Sequence, residues 1–260
     1  GSFTGSGSNY SVVFVPFADV EDTAVVSVEN GSFTDLAGNP LNSTAPNATL
    51  TLDTKAPAAP ALTLEAGFPV TDPVGLDEAT QNPNGVVSVQ GEVGANISVS
   101  FTGTGGSVQK TITGDGTTQG VVLNSTEATS LGQGPVSVEA TQTDAFLNPQ
   151  TDPASTVSFE LDTIAPNAAT VAFAAGVTDA VSDAESSAPV TVNGELDAAL
   201  TVTFTGDDGS VTQNLTGTGV DQNVNLNAAQ LLTLDSDGVG PVEVSVTQSD
   251  LAGNNQTASA

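Results

Sequence analysis

Gly85-Val86-Val87-Ser88-Val89-Gln90-Gly91 alternates apolar and polar residues between two glycines. A period of two sends Val87 and Val89 to one face and Ser88 and Gln90 to the other, the pattern of a half-buried strand. Ala61–Leu64 reads as a strand before it. Ile97–Phe101 and Val108–Ile112 follow, joined by the glycine-rich turn Gly103-Thr104-Gly105-Gly106. Gly120–Leu123, Val136–Thr141 and Thr156–Leu161 add three more short strands. Between them, Asn124–Leu131 fits one helical turn, capped by Asn124 or Ser125 with Glu127 near its start.

Much of this block occurs again. Leu52-Asp53-Thr54-Lys55-Ala56-Pro57 returns as Leu161-Asp162-Thr163-Ile164-Ala165-Pro166. Asp35-Leu36-Ala37-Gly38-Asn39 returns as Asp144-Ala145-Phe146-Leu147-Asn148 and as Asp250-Leu251-Ala252-Gly253-Asn254. Val70-Thr71-Asp72 with Glu78 matches Val177-Thr178-Asp179 with Glu185. Ser98–Gly103 matches Thr201–Gly206. Matches in one order signal tandem domains. The expected boundaries are 1–53, the C-terminal half of a domain, 54–162, a whole domain, and 163–260, a domain lacking its last strand. Seven short strands in about 100 residues fit an immunoglobulin-like sandwich. The fold class read from the sequence is therefore all-β, with tandem immunoglobulin-like β-sandwich domains in a linear array. With no Cys and no Trp, Phe101 and Phe204 are the expected central core residues.

The 260 residues carry thirty acidic and two basic side chains, a formal charge of -28. Such a surface repels phosphate backbones and anionic membranes, so neither nucleic-acid binding nor membrane insertion is expected. No apolar run approaches a membrane span. Without Cys or His, thiol catalysis, Ser-His triads, zinc-thiolate sites and iron–sulfur clusters are excluded. The glycine-rich turns are not followed by a Lys-Ser/Thr helix, so they are not phosphate loops. Carboxylates, hydroxyls, amides and backbone remain, and these suit hard cations such as calcium.

Three motifs carry a resemblance: the Asp-Thr-x-Ala-Pro linker, the Val-x-Val-x-Gly-Glu strand and the Thr-Gln-x-Asp-x-x-x-Asn corner. Together they resemble bacterial immunoglobulin-like repeats, the extender regions of giant secreted adhesins of the RTX and biofilm-associated type. Gly5–Thr54 is similar to the second half of a related module. The resemblance implies bacterial origin, an extracellular or cell-surface setting, and Ca2+ at the domain junctions.

Sandwich topology leads to the same metal expectation. Asp72 and Glu78, between the first two strands, belong at the pole where the last strand ends at Asp162. Glu195, Asp197, Asp250 and Asn254 belong at the facing pole of the next domain. The preceding junction offers Asp53, Glu92, Asp144 and Asn148, and the third domain repeats the downstream set with Asp179, Glu185, Asp235 and Asp237. With only Lys55 and Lys110 as cations, protein charge cannot neutralise such groups. Asp and Asn also favour turns in their own right, which is the competing reading of these corners. Asp207-Asp208-Gly209 reads as a hairpin turn, and Asp235-Ser236-Asp237-Gly238 is too short for an EF-hand loop.

The expected function is a structural spacer that projects an adhesive tip, stiffened by calcium and in contact with neighbouring domains of its own kind. A glycan- or protein-binding module is an alternative that clustered exposed aromatics would favour. An enzyme is not expected. A further alternative is a head-to-tail filament in which Ala48–Leu52 of one copy completes the third domain of another, beside Val242–Thr247.

Overall fold

A computed structural model of the chain describes residues 3–6, 9–42, 47–65, 72–174, 190–235 and 240–259. It is all-β apart from three short helices. In the first segment β1 (Phe3–Ser6) pairs antiparallel with β2 (Asn9–Val12), and β3 (Glu21–Val26) with β4 (Ala48–Asp53). No described residue before Pro57 is buried, and Phe17, Val25 and Leu50 are all exposed.

The second segment is a complete sandwich. One sheet holds β5 (Ala61–Leu64), β6 (Val87–Gln90) and β9 (Gln119–Val121). The other runs β11-β10-β7-β8, from β7 (Asn96–Thr102), β8 (Ser107–Thr113), β10 (Gly134–Thr143) and β11 (Ser155–Leu161). All seven strands lie where the alternation places them. Inward side chains of both sheets meet in one core, with Ile97, Val99 and Phe101 of β7 facing Val87, Val89 and Val121. The helical turn is α2 (Ser125–Ser130), where Asn124 and Glu127 exchange side-chain-to-backbone hydrogen bonds in a capping box. Lys110 donates to the Glu127 carboxylate at 2.6 Å.

A second helix, α1 (Leu76–Gln81), lies between β5 and β6. Six residues are too few for an apolar period to show in sequence. Its Ala79 is fully buried, and the Gly75 N–H donates to the Glu78 carboxylate at 3.1 Å.

The third segment repeats the plan. β12 (Thr170–Phe173), β13 (Val190–Asn193) and β16 (Gln222–Val224) form one sheet. The other runs β15-β14-β17-β18, from β14 (Ala199–Thr205), β15 (Ser210–Thr216), β17 (Glu243–Ser249) and β18 (Asn255–Ser259). α3 (Ala228–Leu234) takes the place of α2, with Asn227 and Gln230 as its capping pair.

One expectation is corrected here: the third domain does have a strand in the last position. β18 pairs with β17 from Ser249↔Asn255 to Ser245↔Ser259. In the second sandwich the chain leaves the sheet after Pro149 and rejoins it at Ser155. In the third it continues straight from the corner into the ladder, so five residues suffice. β4 is likewise paired with β3 along its whole length. Strand donation from Ala48–Leu52 therefore meets an edge already occupied over Ser245–Ser249.

Candidate functional site at the domain junctions

The three Asp-x-x-x-Asn corners share one geometry. The backbone N–H of the Asp donates to the carbonyl of the Asn, at 3.0 Å for Asp35, 3.0 Å for Asp144 and 3.1 Å for Asp250. The Asn N–H returns to Oδ1 of the Asp, at 2.9, 2.8 and 2.9 Å. The Asn side-chain amide donates to Oδ2, at 2.9, 2.8 and 3.0 Å. Both carboxylate oxygens thus stabilise the corner itself.

The two later corners also grip the linker of the domain before them. Asn148 Nδ2 donates to the Asp53 carbonyl at 3.1 Å, and Asn254 Nδ2 to the Asp162 carbonyl at 2.9 Å. Six residues upstream of each Asn sits a buried glutamine. Gln142 donates to the Ala58 carbonyl at 2.6 Å and accepts from the Glu92 N–H at 3.0 Å. Gln248 donates to the Asn167 carbonyl at 3.1 Å and accepts from the Glu195 N–H at 2.9 Å. Gly91 and Gly194 make room for these amides, since a Cβ at either would lie 2.5 Å from the glutamine Oε1. The three sequence motifs are therefore one constellation. The Gly-Glu strand end and the Gln/Asn corner together hold the Asp-Thr-x-Ala-Pro linker.

The linker is held from upstream as well. Thr163 exchanges two hydrogen bonds with the Gln133 side chain, at 2.7 and 2.8 Å. Thr54 bonds the Phe17 carbonyl at 2.7 Å and the Val20 carbonyl at 2.8 Å. Asp53 and Asp162 each accept the N–H two residues on, from Lys55 and Ile164, both at 3.0 Å. Neither Lys55 nor Ile164 uses its side chain on the clasp, which suits the variable position of the motif.

At the second junction the two poles meet as the topology requires. Within the second sandwich Val74 bridges Leu161 and the Asp162 N–H donates to the Val74 carbonyl at 2.9 Å, and across the boundary the Leu76 N–H donates to Asn254 Oδ1 at 3.3 Å. A cavity of about 540 Å³ lies there, lined among others by Pro73, Asp162, Glu195 and Asp250. Glu195 Oε1 accepts from both the N–H and the side chain of Asn167, at 3.1 Å each. Among the described residues, no donor is hydrogen-bonded to the second oxygen of Asp162 or Glu195. These oxygens have the chemistry a hard cation takes. Among the described residues, however, no three acidic side chains draw close enough to share one ion.

The other candidates are scattered. Asp72 is exposed beside Pro73, and Glu78 caps α1. Asp197 is exposed in a turn at φ 65, its N–H bonded to the Gly217 carbonyl. The Glu92 side chain is exposed while its N–H is held by Gln142. Asp53 and Asp144 meet only through Asn148. Asp179, Glu185 and Asp237 lie outside the described residues, while Asp235 and Asp207 flank Gly240 at the far pole of the third sandwich. Gln142, Gln248 and Gln133 were not among the candidates. The first two stand inside a recognised motif, and a buried amide next to a repeated Asp was the signal available.

Burial opposes the Asp144 carboxylate, but the Asn148 side chain and the N–H groups of Asn148, Phe146 and Leu147 outweigh it and hold the carboxyl below the usual range. The Asn39 side chain does the same, foremost, for Asp35. A carboxyl lowered by folding stabilises the fold above its unfolded value of about 4, and that stability is lost as pH falls through the folded value. The second sandwich should therefore melt earlier as pH drops below about 4. Asp144→Asn should flatten part of this dependence and lower the melting temperature at neutral pH. An equally steep profile in the variant would show that the corner does not titrate with folding.

No family model matches the chain, and no curated protein matches it. Among solved structures it is similar to the tetra-tandem repeat in the extending region of a large adhesion protein. That match has 22% identity over 83% of this chain and 51% of the other, with a TM-score of 0.31. It is similar to a structure from a 1.5-MDa bacterial ice-binding adhesin, at 20% identity over 87% of this chain and 69% of the other, with a TM-score of 0.39. The BSP domain of a biofilm-associated protein matches at 14% identity over 80% and 30%, with a TM-score of 0.22. The chain spans about half the length of the first of these.

Proposed function

We propose that this chain is a run of spacer domains from an extracellular, adhesin-like bacterial surface protein. The observation that carries the reading is the repeated clasp: the same linker, held by the same residues, joins successive segments at both junctions. Domains that touch only their sequence neighbours form a quasi-one-dimensional array, which suits reach rather than chemistry. The resemblance of the three motifs to adhesin extender repeats supplies the extracellular setting. Among the described residues, no helix is long and apolar enough to cross a membrane.

Calcium stiffening belongs to the same proposal. Asp162 and Glu195 would offer their second oxygens to the ion, because they bring carboxylates of two domains to one cavity, while both oxygens of Asp250 stay engaged by Asn254. The ion would supply charge neutralisation between the facing poles. At ~1 mM calcium and a dissociation constant of ~0.1 mM, each site adds about 1.4 kcal/mol. Scattering and melting curves with calcium and with chelator test the idea. Chelation should lower the melting temperature by removing the stability the ion adds. Asp162→Ala should reproduce this while both sandwiches stay folded, and Asp207→Ala, at the far pole, should not. Curves indifferent to chelator would remove the metal and leave the spacer.

A further inference from the structure

We propose that Asn254 and Gly75 form an uncharged lock that keeps the second junction closed without any cation, an inference that rests on the spacer reading. Asn254 uses both ends of its side chain across the boundary. Its Nδ2 donates to the Asp162 carbonyl at 2.9 Å, and its Oδ1 accepts the Leu76 N–H at 3.3 Å. One side chain of the third domain thus ties together the end of β11 and the start of α1. Asp250 fixes that side chain from within its own domain, at 3.0 Å.

Gly75 supplies the shape. It lies at φ -78 and ψ 171, a conformation open to any residue. A Cβ there would stand 2.0 Å from the Ala252 carbonyl oxygen. The glycine is therefore required by contact with the neighbouring corner, not by its own backbone. It lets the two domains approach until the Leu76 N–H reaches Asn254. Both boundary-crossing bonds join amides, so neither needs the carboxylates that a cation would bridge.

The first junction differs. Asn148 reaches Asp53 there, and among the described residues it has no second bond like that to Leu76. The second junction is accordingly the stiffer of the two.

The absence of cysteine allows a direct test. Spin labels on cysteines placed at the exposed positions Thr111 and Thr212 report the spread of distances between the two sandwiches. In chelator, the otherwise unaltered chain should give one narrow distribution. Asn254→Ala should raise the open population roughly thirtyfold, the effect of the two boundary-crossing hydrogen bonds lost. Gly75→Ala should do likewise by wedging the domains apart, and it leaves the corner of the third domain intact should Asn254→Ala disturb folding. Asn255→Ala, whose side chain bonds only the Gly253 carbonyl among the described residues, should change nothing. Narrow distributions in both junction variants would overturn the lock. So would a parent chain that is broad in chelator and narrow only with calcium, which would leave the spacer reading standing. A parent chain that is broad with calcium as well would sink the spacer reading itself.

Discussion

Phe204→Ala should split the thermal unfolding of this chain into two well-separated transitions. Phe204 is 1% exposed near the end of β14 and packs in a core of twelve buried residues, among them Val202, Val224 and Val246. Truncating a buried phenylalanine costs about 3–5 kcal/mol, from lost transfer energy and the cavity left behind. For a domain of this size, that lowers the melting temperature by about 15–30 °C. The second sandwich should not follow. Its core, built around Phe101, is a separate cluster with no residue in common. The junction between them is a handful of hydrogen bonds, too few to transmit a loss of that size. Calorimetry should show the third-domain transition moving down and the other staying in place. If both moved together, the domains would be one cooperative unit and the independent-bead picture of the spacer would fail.

The strands were legible because the second domain largely alternates, although in β6 Ser88, on the opposite face from Val87 and Val89, is buried as well. Val87 and Val89 could be assigned to the core from the two-residue period alone, and both are fully buried. The cap of α2 was legible from Asn124 and Glu127, since a capping box is a local pattern. The last strand of the third domain was not, because Asn255-Gln256-Thr257-Ala258-Ser259 has no apolar alternation. Its place is set by the corner that feeds it and by five register pairs with β17.

The junction was legible in topology and obscure in chemistry. Strand order alone brought Asp162, Glu195 and Asp250 to one place. Whether a carboxylate faces solvent, a cation or an N–H depends on side-chain directions that spacing does not encode. Asp144 and Asp250 have their oxygens engaged by their own corners. The residues that grip the linker turn out to be amides, which composition arguments centred on charge pass over.

Gln248→Leu is the sharpest test of that last point. Gln248 is fully buried, yet it is polar, and both ends of its amide are used. Leucine fills a similar volume but offers neither a donor nor an acceptor. The substitution leaves the Glu195 N–H and the Asn167 carbonyl without their partner. Glu195 and Asn167 are themselves exposed and the two bonds are partly buried, so losing the pair should cost the third sandwich about 1–3 kcal/mol. The loss should be local in a second, independent readout: hydrogen exchange at the Glu195 amide should accelerate together with the fall in melting temperature. Gln142→Leu should do the same to the second sandwich through Glu92 and Ala58, because the two glutamines make equivalent bonds. The chain just after the linker, at Asn167, would also come free of β17, so interdomain angles should broaden even at temperatures where the third sandwich stays folded. If Gln248→Leu melts like the parent chain and Glu195 stays protected, water or a shifted loop replaces the amide. The clasp would then lose its place as the element that positions one domain on the next.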